Sequence, residues 1–447
     1  MKTNPFLSVF LFVLWFTYLA PTVVYGQYGE GKKEKMIIVS YVSFIPQLSQ
    51  YIEAKANDNI DCRIISVDSL EDFNRVKAKI DGLYTDFTAD FLLLVGDFQH
   101  IPAFIVEEGL SDIYYTFENE NSFVPRMTVG RFSVETAQDL QTMIDRTLTR
   151  KPASGHVIGI ASEAKSELTQ KRDYEQVRQM GHILAGKGFS YISELFNGSQ
   201  SEFDKAGNPL PSDVIAALQT NATWLNYAGY GSYEGWTTSG FESRHIDSLA
   251  DNVELPIVVS ASCLGGHFAY RDCFAEKWLR TTRNGNPVGA TAVLISSSLA
   301  DWDATLSAMF IMTKCMPSLD DNCRLGHLYL QGYNHIIDSM QRPKEACCWI
   351  LFGDPSMWIY PIANNTTRQN TPMTSLPAAY PNPANTLLHI KHSGLVRLYD
   401  IQGKLILETL SPNNNTILDV SQLVPGIYFL SIQSPHKVIT QKIIIGK

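Results

Sequence analysis

The apolar and polar positions between about residues 35 and 362 alternate between two patterns. Short, almost uninterrupted apolar runs give way to stretches whose apolar positions recur at helical spacing. MIIVSYV (36–42) reads as a buried strand, and IPQLSQYIEAKAND (45–58) follows with helical spacing. CRIISV (62–67) is the next strand. LEDFNRVKAKIDGLYTDF (70–87) is a helix that puts Leu70, Phe73, Val76 and Ile80 on one face. FLLLVGD (91–97) and HVIGIAS (156–162) continue the strands, followed by a helix from about 172 to 187. WLNYAG (224–229), PIVVSAS (256–262) and AVLISSS (292–298) complete the series. Continuous apolar strands separated by helices predict a parallel sheet covered on both faces, built from right-handed crossovers. Function in such sheets collects at the carboxyl ends of strands. The loops after Ser162, Gly229, Ser262 and Ser298 are therefore where chemistry is expected.

The two ends of the chain read differently. Lys2 precedes an uncharged apolar run from Phe6 to Leu19, and small residues around Val24-Tyr25-Gly26 offer a cleavage site before Gln27. The run is too short for a spanning helix, which needs about 20 residues. Residues 1–26 are thus expected to be a cleaved signal peptide, with no membrane span in the mature chain. A polar linker (363–378) carries NNTTRQNTPMTSLPA, and short alternating strands with turn signals then fill 379–447, as in a small all-β sandwich.

Composition narrows the function. Of 447 residues, 45% are hydrophobic and 18% charged, the balance of an ordinary globular chain of about two or three domains. The net charge of −9, with no long basic run, argues against a nucleic-acid partner. Seven cysteines are too few for a disulfide scaffold of this size, and the odd count leaves at least one thiol without an intrachain partner. The histidines form no metal-binding pattern, which argues against a zinc hydrolase. Cys263, at a strand end before Leu264-Gly265-Gly266-His267, suits a nucleophile whose glycines let backbone amides approach a substrate carbonyl. A buried core thiol would fit the same pattern.

Two resemblances sharpen these readings. YPNPAN (380–385), VRLYDIQGKLI (396–406) and LDVSQLVPGIYFLSI (418–432) resemble the sorting domain of the type IX secretion system of Bacteroidetes. That resemblance implies a secreted or cell-surface protein handled by the type IX machinery of a Gram-negative bacterium. LLLVGDFQHIPA (92–103), SDIYY (111–115), VGRFSVETAQDLQTMIDRTL (129–148), NYAGYGSYEGW (226–236), SASCLGGHFAYRDCFAEKWLR (260–280) and FGDPS (352–356) are similar to the catalytic domain of the gingipain family. These are secreted, caspase-like cysteine endopeptidases, and the resemblance spans about 35 to 362.

By that resemblance Cys263 is the nucleophile, and Glu163 is the acid that supports the catalytic histidine. Asp173 meets a basic side chain before the cut bond, and Trp302 covers that pocket. Gly265 and Gly266, on the residue pattern alone, are the expected substrate-binding amides. No cofactor is expected, and a structural calcium, as in the family, is left open. The departure is at residue 230, where the family's general base, a histidine between two glycines, is replaced by Tyr230. Tyrosine, with an ordinary pKa near 10, is neutral at pH 7 and takes up a proton poorly. His267 is a candidate relocated base; His245 reads equally well as a turn or cap residue. The family also carries a long pro-region, whereas here the first strand begins near residue 36, which fits an inactive protein. Three functions follow as expectations: a pseudopeptidase that binds peptides or proteins, an active endopeptidase cutting after Arg or Lys with a relocated base, and a structural adhesin indifferent to Cys263 and Asp173.

Overall fold

A computed structural model describes residues 33–360 and 379–446, apart from 69–70, 108, 151–152, 190, 202–203, 252, 270–271, 320, 381–383, 391–393, 412–415 and 435–436. The expected signal peptide and linker lie outside the described residues. One ten-stranded sheet organises residues 34–352. Its strands are β1 (Glu34–Tyr41), β2 (Ile60–Val67), β3 (Phe91–Val95), β4 (Thr128–Phe132), β5 (His156–Ala161), β6 (Tyr191–Phe196), β7 (Ala222–Ala228), β8 (Ile257–Ala261), β9 (Ala292–Ser296) and β10 (Trp349–Phe352). They lie in the order β2-β1-β3-β4-β10-β9-β8-β7-β5-β6.

Alternation within the strands explains why both faces are covered. Ile37 and Val39 of β1 enter one apolar core, and Met36 and Ile38 enter the other on the opposite face. Leu92 and Leu94 of β3 divide from Phe91, Leu93 and Val95 in the same way. Each such aliphatic side chain, fully buried, contributes roughly 1.5–3 kcal/mol before the entropy of ordering is counted. The helices that cover the faces include α1 (Ser49–Asn57), α2 (Phe73–Asp86), α3 (Ala137–Leu148), α4 (Asp173–Ala185), α5 (Pro211–Leu218), α6 (Phe274–Arg280), α7 (Trp302–Cys315), α8 (Leu325–Asp338) and α9 (Pro343–Cys348). Their ends are set by local chemistry. Thr136 Oγ1 accepts from Asp139 N–H at 3.1 Å while Asp139 accepts from Thr136 N–H at 2.9 Å, a reciprocal cap that starts α3.

The sheet departs from the expected all-parallel arrangement at one place. β10 runs antiparallel to β9, pairing Val293 with Phe352 and Ser296 with Trp349, and reaches β4 through Phe352 and Arg131. Strands β4, β6 and β10 were not expected from the pattern. Each is short, and TVGRF, YISELF and WILF carry no flanking turn signal distinctive enough to separate them from helix or loop. The helix expected from 45 to 58 starts as a 3₁₀ turn (Val42–Leu48) around Pro46 and becomes α-helical only at Ser49. After the linker, a three-stranded and a four-stranded antiparallel sheet enclose a separate core that includes Leu388, Val396, Leu398, Leu430 and Ile443.

Candidate active site

The predicted chemistry gathers at the carboxyl ends of β5, β7, β8 and β9. Cys263 follows β8 and is half-buried. Its sulfur accepts a hydrogen bond from the Ala300 N–H at 3.3 Å, donated by the loop after β9. Leu264 next to it holds a left-handed backbone at φ 61°, which for a bulky residue marks local strain of about 1–3 kcal/mol. That turn folds the chain back sharply after the cysteine. The three amides that follow are all engaged: Leu264 N–H donates to Ser298 O, Gly265 N–H to Cys263 O and Gly266 N–H to Ser296 O, at 2.8–2.9 Å.

Gly265 and Gly266 therefore do not offer free amides to a substrate, a correction to the sequence-based expectation. Their lack of a side chain serves packing instead. A Cβ on Gly265 would stand 2.4 Å from Ile295 Cδ1, and one on Gly266 would stand 3.0 Å from Ile295 Cγ2. Gly231 is the glycine that closes the site. A Cβ there would lie 2.9 Å from the Cys263 carbonyl oxygen, so the 229–237 loop can rest on the cysteine only with glycine at this point.

Tyr230 sits on that same loop and is 61% exposed. Its carbonyl accepts from Tyr227 Oη–H at 2.6 Å and from Thr237 N–H at 3.0 Å, which holds the loop in place. The ring leans on Trp302, with centroids 5.0 Å apart and planes at 60°. Trp302 opens α7 and donates from Nε1 to Asp173 Oδ1 at 2.8 Å. Ser162 Oγ–H donates to the other carboxylate oxygen at 2.5 Å. Asp173, the first residue of α4, is wholly buried there. Burial pushes its carboxyl up to about 6, against the two hydrogen bonds that pull it down.

That shift fixes a pH dependence. A carboxyl with a raised folded-state pKa stabilises the fold at low pH, and the contribution is lost as pH rises from about 4 through about 6. Asp173→Asn should remove this part of the slope. Urea midpoints of the full chain between pH 4 and 7 read it, and an unchanged slope in the variant would contradict the assignment.

Two sequence-predicted residues are not part of this group. Glu163 is exposed, and its carbonyl accepts from Arg172 Nη1 at 2.6 Å. His267 is buried and lies edge-on to the Tyr233 ring at 5.5 Å. No described histidine shares a hydrogen bond with Cys263. His245 Nδ1 accepts from Glu242 N–H at 2.9 Å as a local cap, His100 pairs with Asp97, and His335 bonds Ser307. Sequence reasoning missed Ser162 and Ala300 as site residues. Ser162 was legible as the last residue of its strand, whereas Ala300 acts through its backbone and carries no side-chain signal. Among the described residues no three His, Cys, Asp or Glu side chains converge as a metal site. Nor is any described helix long and apolar enough to cross a membrane.

A half-buried cysteine thus follows one strand end, and a buried acid bonded to Trp302 follows another, in a mostly parallel, helix-covered sheet. The chain belongs to the gingipain family: the model for Peptidase family C25 matches residues 30–360, and a secretion system C-terminal sorting domain matches 378–446. Gingipain R2 of Porphyromonas gingivalis is 26% identical over 343 residues, covering 73% of this chain and 45% of that protein. Gingipain R1 of the same organism is 24% identical over 410 residues, covering 88% of this chain and 39% of that one. The chain thus spans less than half the length of these relatives. The crystal structure of the Arg-specific cysteine proteinase gingipain R superposes with a TM-score of 0.67 at 21% identity, over 94% of this chain and 99% of that one, and shows the shared fold. The sorting domain and these relatives place the protein outside the cell or on its surface, exported by the type IX machinery.

Proposed function

We propose that this protein is a pseudopeptidase: a gingipain-fold protein that keeps its nucleophile and its acidic pocket but binds peptide or protein ligands with little or no turnover. The observation that carries this reading is the surroundings of Cys263, where a backbone amide is the hydrogen-bond partner; the resemblance of 226–236 to the family motif puts Tyr230 where the family has its base. A free thiol with the ordinary pKa of about 8.5 is only a few per cent thiolate at pH 7 unless a base assists it. Peptide hydrolysis also needs a proton delivered to the leaving amine, and positioned acid–base catalysis is worth roughly 10²–10⁴ in rate. A solvent-exposed phenol such as Tyr230 supplies neither role well. The residues that the resemblance assigns to the pocket are, in contrast, retained. Asp173 offers a carboxylate once ionised, and the Trp302 face suits the cation of an Arg or Lys side chain.

The test compares the full chain with Cys263→Ala on a fluorogenic panel with Arg or Lys before the cleavable bond. The expected result is a rate near background for both proteins, with an iodoacetamide probe labelling position 263 in the parent only. Turnover that disappears with Cys263→Ala would overturn the reading in favour of an active endopeptidase with a relocated base.

A further inference from the structure

A cavity lies at the opposite ends of the strands from Cys263. It holds about 200 Å³ and is lined by Arg146, Arg150, Asp251, Glu254, Asn286 and Thr291, among others. Glu254 precedes β8 and Thr291 precedes β9, whereas Cys263 follows the far end of β8. At about 3.3 Å per strand residue, the two places are roughly 20 Å apart.

Two cations line this cavity, and the Glu254 carboxylate beside them offsets part of the Arg150 charge. Arg146, near the end of α3, is 2% exposed. Its terminal nitrogens donate only to backbone carbonyls, those of Trp278, Thr281, Val288 and Ala290, and its Nε has no hydrogen-bond partner. Half-buried Arg150 donates to the carbonyls of Trp358 and Ile359. Neither guanidinium forms an ion pair among the described residues. Burial lowers Arg146 to about 9 with no carboxylate acting against it, and lowers Arg150 to about 10 against the opposing pull of Glu254 and Asp354. The nearby acids take their hydrogen bonds from neutral groups and stay outside ion-pair distance of either guanidinium. Glu254 accepts from Ser154 N–H at 3.0 Å and Thr223 Oγ1–H at 2.8 Å, and Asp251 accepts from Asn284 and Asn286. A buried charge without a partner is costly, and an incoming anion offsets that cost. The Glu254 carboxylate repels a doubly charged ligand about twice as strongly as a singly charged one, which favours the single charge. A guanidinium matches planar oxygen pairs best.

We propose that this cavity binds a singly charged carboxylate, carried by a small carboxylic acid or by the C-terminus of a peptide. The full chain is titrated with acetate and with acetyl-diglycine, using the amide of acetyl-diglycine and inorganic phosphate as comparisons, and the thermal midpoint is followed. Acetate, acetyl-diglycine or both should raise the midpoint, with the amide silent and phosphate weaker. A larger rise with acetate points to small acids, and a larger rise with acetyl-diglycine points to peptide ends. Arg150→Gln should weaken binding at least tenfold. Asp251→Asn, which removes a negative charge beside the cavity, should tighten it about twofold and carries the test if the arginine variant does not fold. No midpoint change with either carboxylate, an equal effect of the amide, or affinities indifferent to the charge changes would overturn the proposal.

Discussion

Tyr230→His raises peptide-bond hydrolysis by roughly 10²–10⁴-fold over the parent chain, the usual worth of a positioned acid–base group. The substitution places an imidazole, with an ordinary pKa near 6.5, on a loop that already touches the nucleophile's backbone. Gly231 rests against the Cys263 carbonyl, and Tyr227 together with Thr237 fixes the carbonyl of residue 230, so the new side chain starts from a held backbone. Tyr230 is mostly solvent-exposed, so replacing it disturbs packing little beyond its contact with Trp302. The measurement is kcat/KM on peptides with Arg or Lys before the cleavable bond, and neutral residues there as controls. Gained activity should have a pH profile with an acidic limb near the imidazole pKa and should vanish in the Cys263→Ala/Tyr230→His double variant. A histidine variant no faster than the parent would mean that residue 230 is not where the base is missing.

Lys55→Met lowers stability by about 3–5 kcal/mol, the cost of leaving one half of a buried ion pair uncompensated. Lys55 of α1 reaches Asp354 just after β10 at 2.5 Å, with both side chains almost wholly buried. Asp354 also accepts from Ser356 N–H at 2.8 Å and Ser356 Oγ–H at 2.7 Å. Burial alone would raise this carboxyl, but Lys55 and the Ser356 hydrogen bonds outweigh it, and the net shift is downward. A depressed folded-state pKa gives stability that is present above the unfolded value near 3.9 and is lost as pH falls through the folded value. The parent therefore weakens on acidification, whereas Lys55→Met should lose this acid sensitivity or reverse it. Urea unfolding of the full chain at pH 3–7 reads both effects. Adding Asp354→Asn to Lys55→Met should recover part of the loss, which separates an orphaned charge from a simple packing defect.

Much of the fold was legible because its signal is local. Long apolar strands such as 91–95 and 257–261 announce themselves, and the turn glycines after β7 and β8 mark where chemistry sits. The antiparallel β10 was not legible, since strand direction depends on where a chain returns from and leaves no mark in four apolar residues. The cluster of Cys263, Tyr230, Asp173 and Trp302 assembles from four loops as the strand-end rule predicts. The roles of Gly265 and Gly266 were misread because glycine serves amide access and close packing equally well. Only the distance to Ile295 separates the two uses. The Asp173–Ser162 bond needed the burial of the α4 start, which a helix-favouring acid does not by itself reveal.

The position of β10 in the sheet carries a consequence for biogenesis. Strands β1 to β4 come from residues 34–132 and strands β5 to β9 from residues 156–296, and β10 stands between the two groups. During vectorial synthesis, β4 and β9 both keep a bare edge until residues 349–352 emerge. The sheet then closes in one late step, fastened by Asp354 to Lys55. Unpaired edges invite association with other chains. A nascent polypeptide arrested before residue 349 should therefore be a substrate for chaperones, and the last strand to appear acts as the keystone that completes the domain.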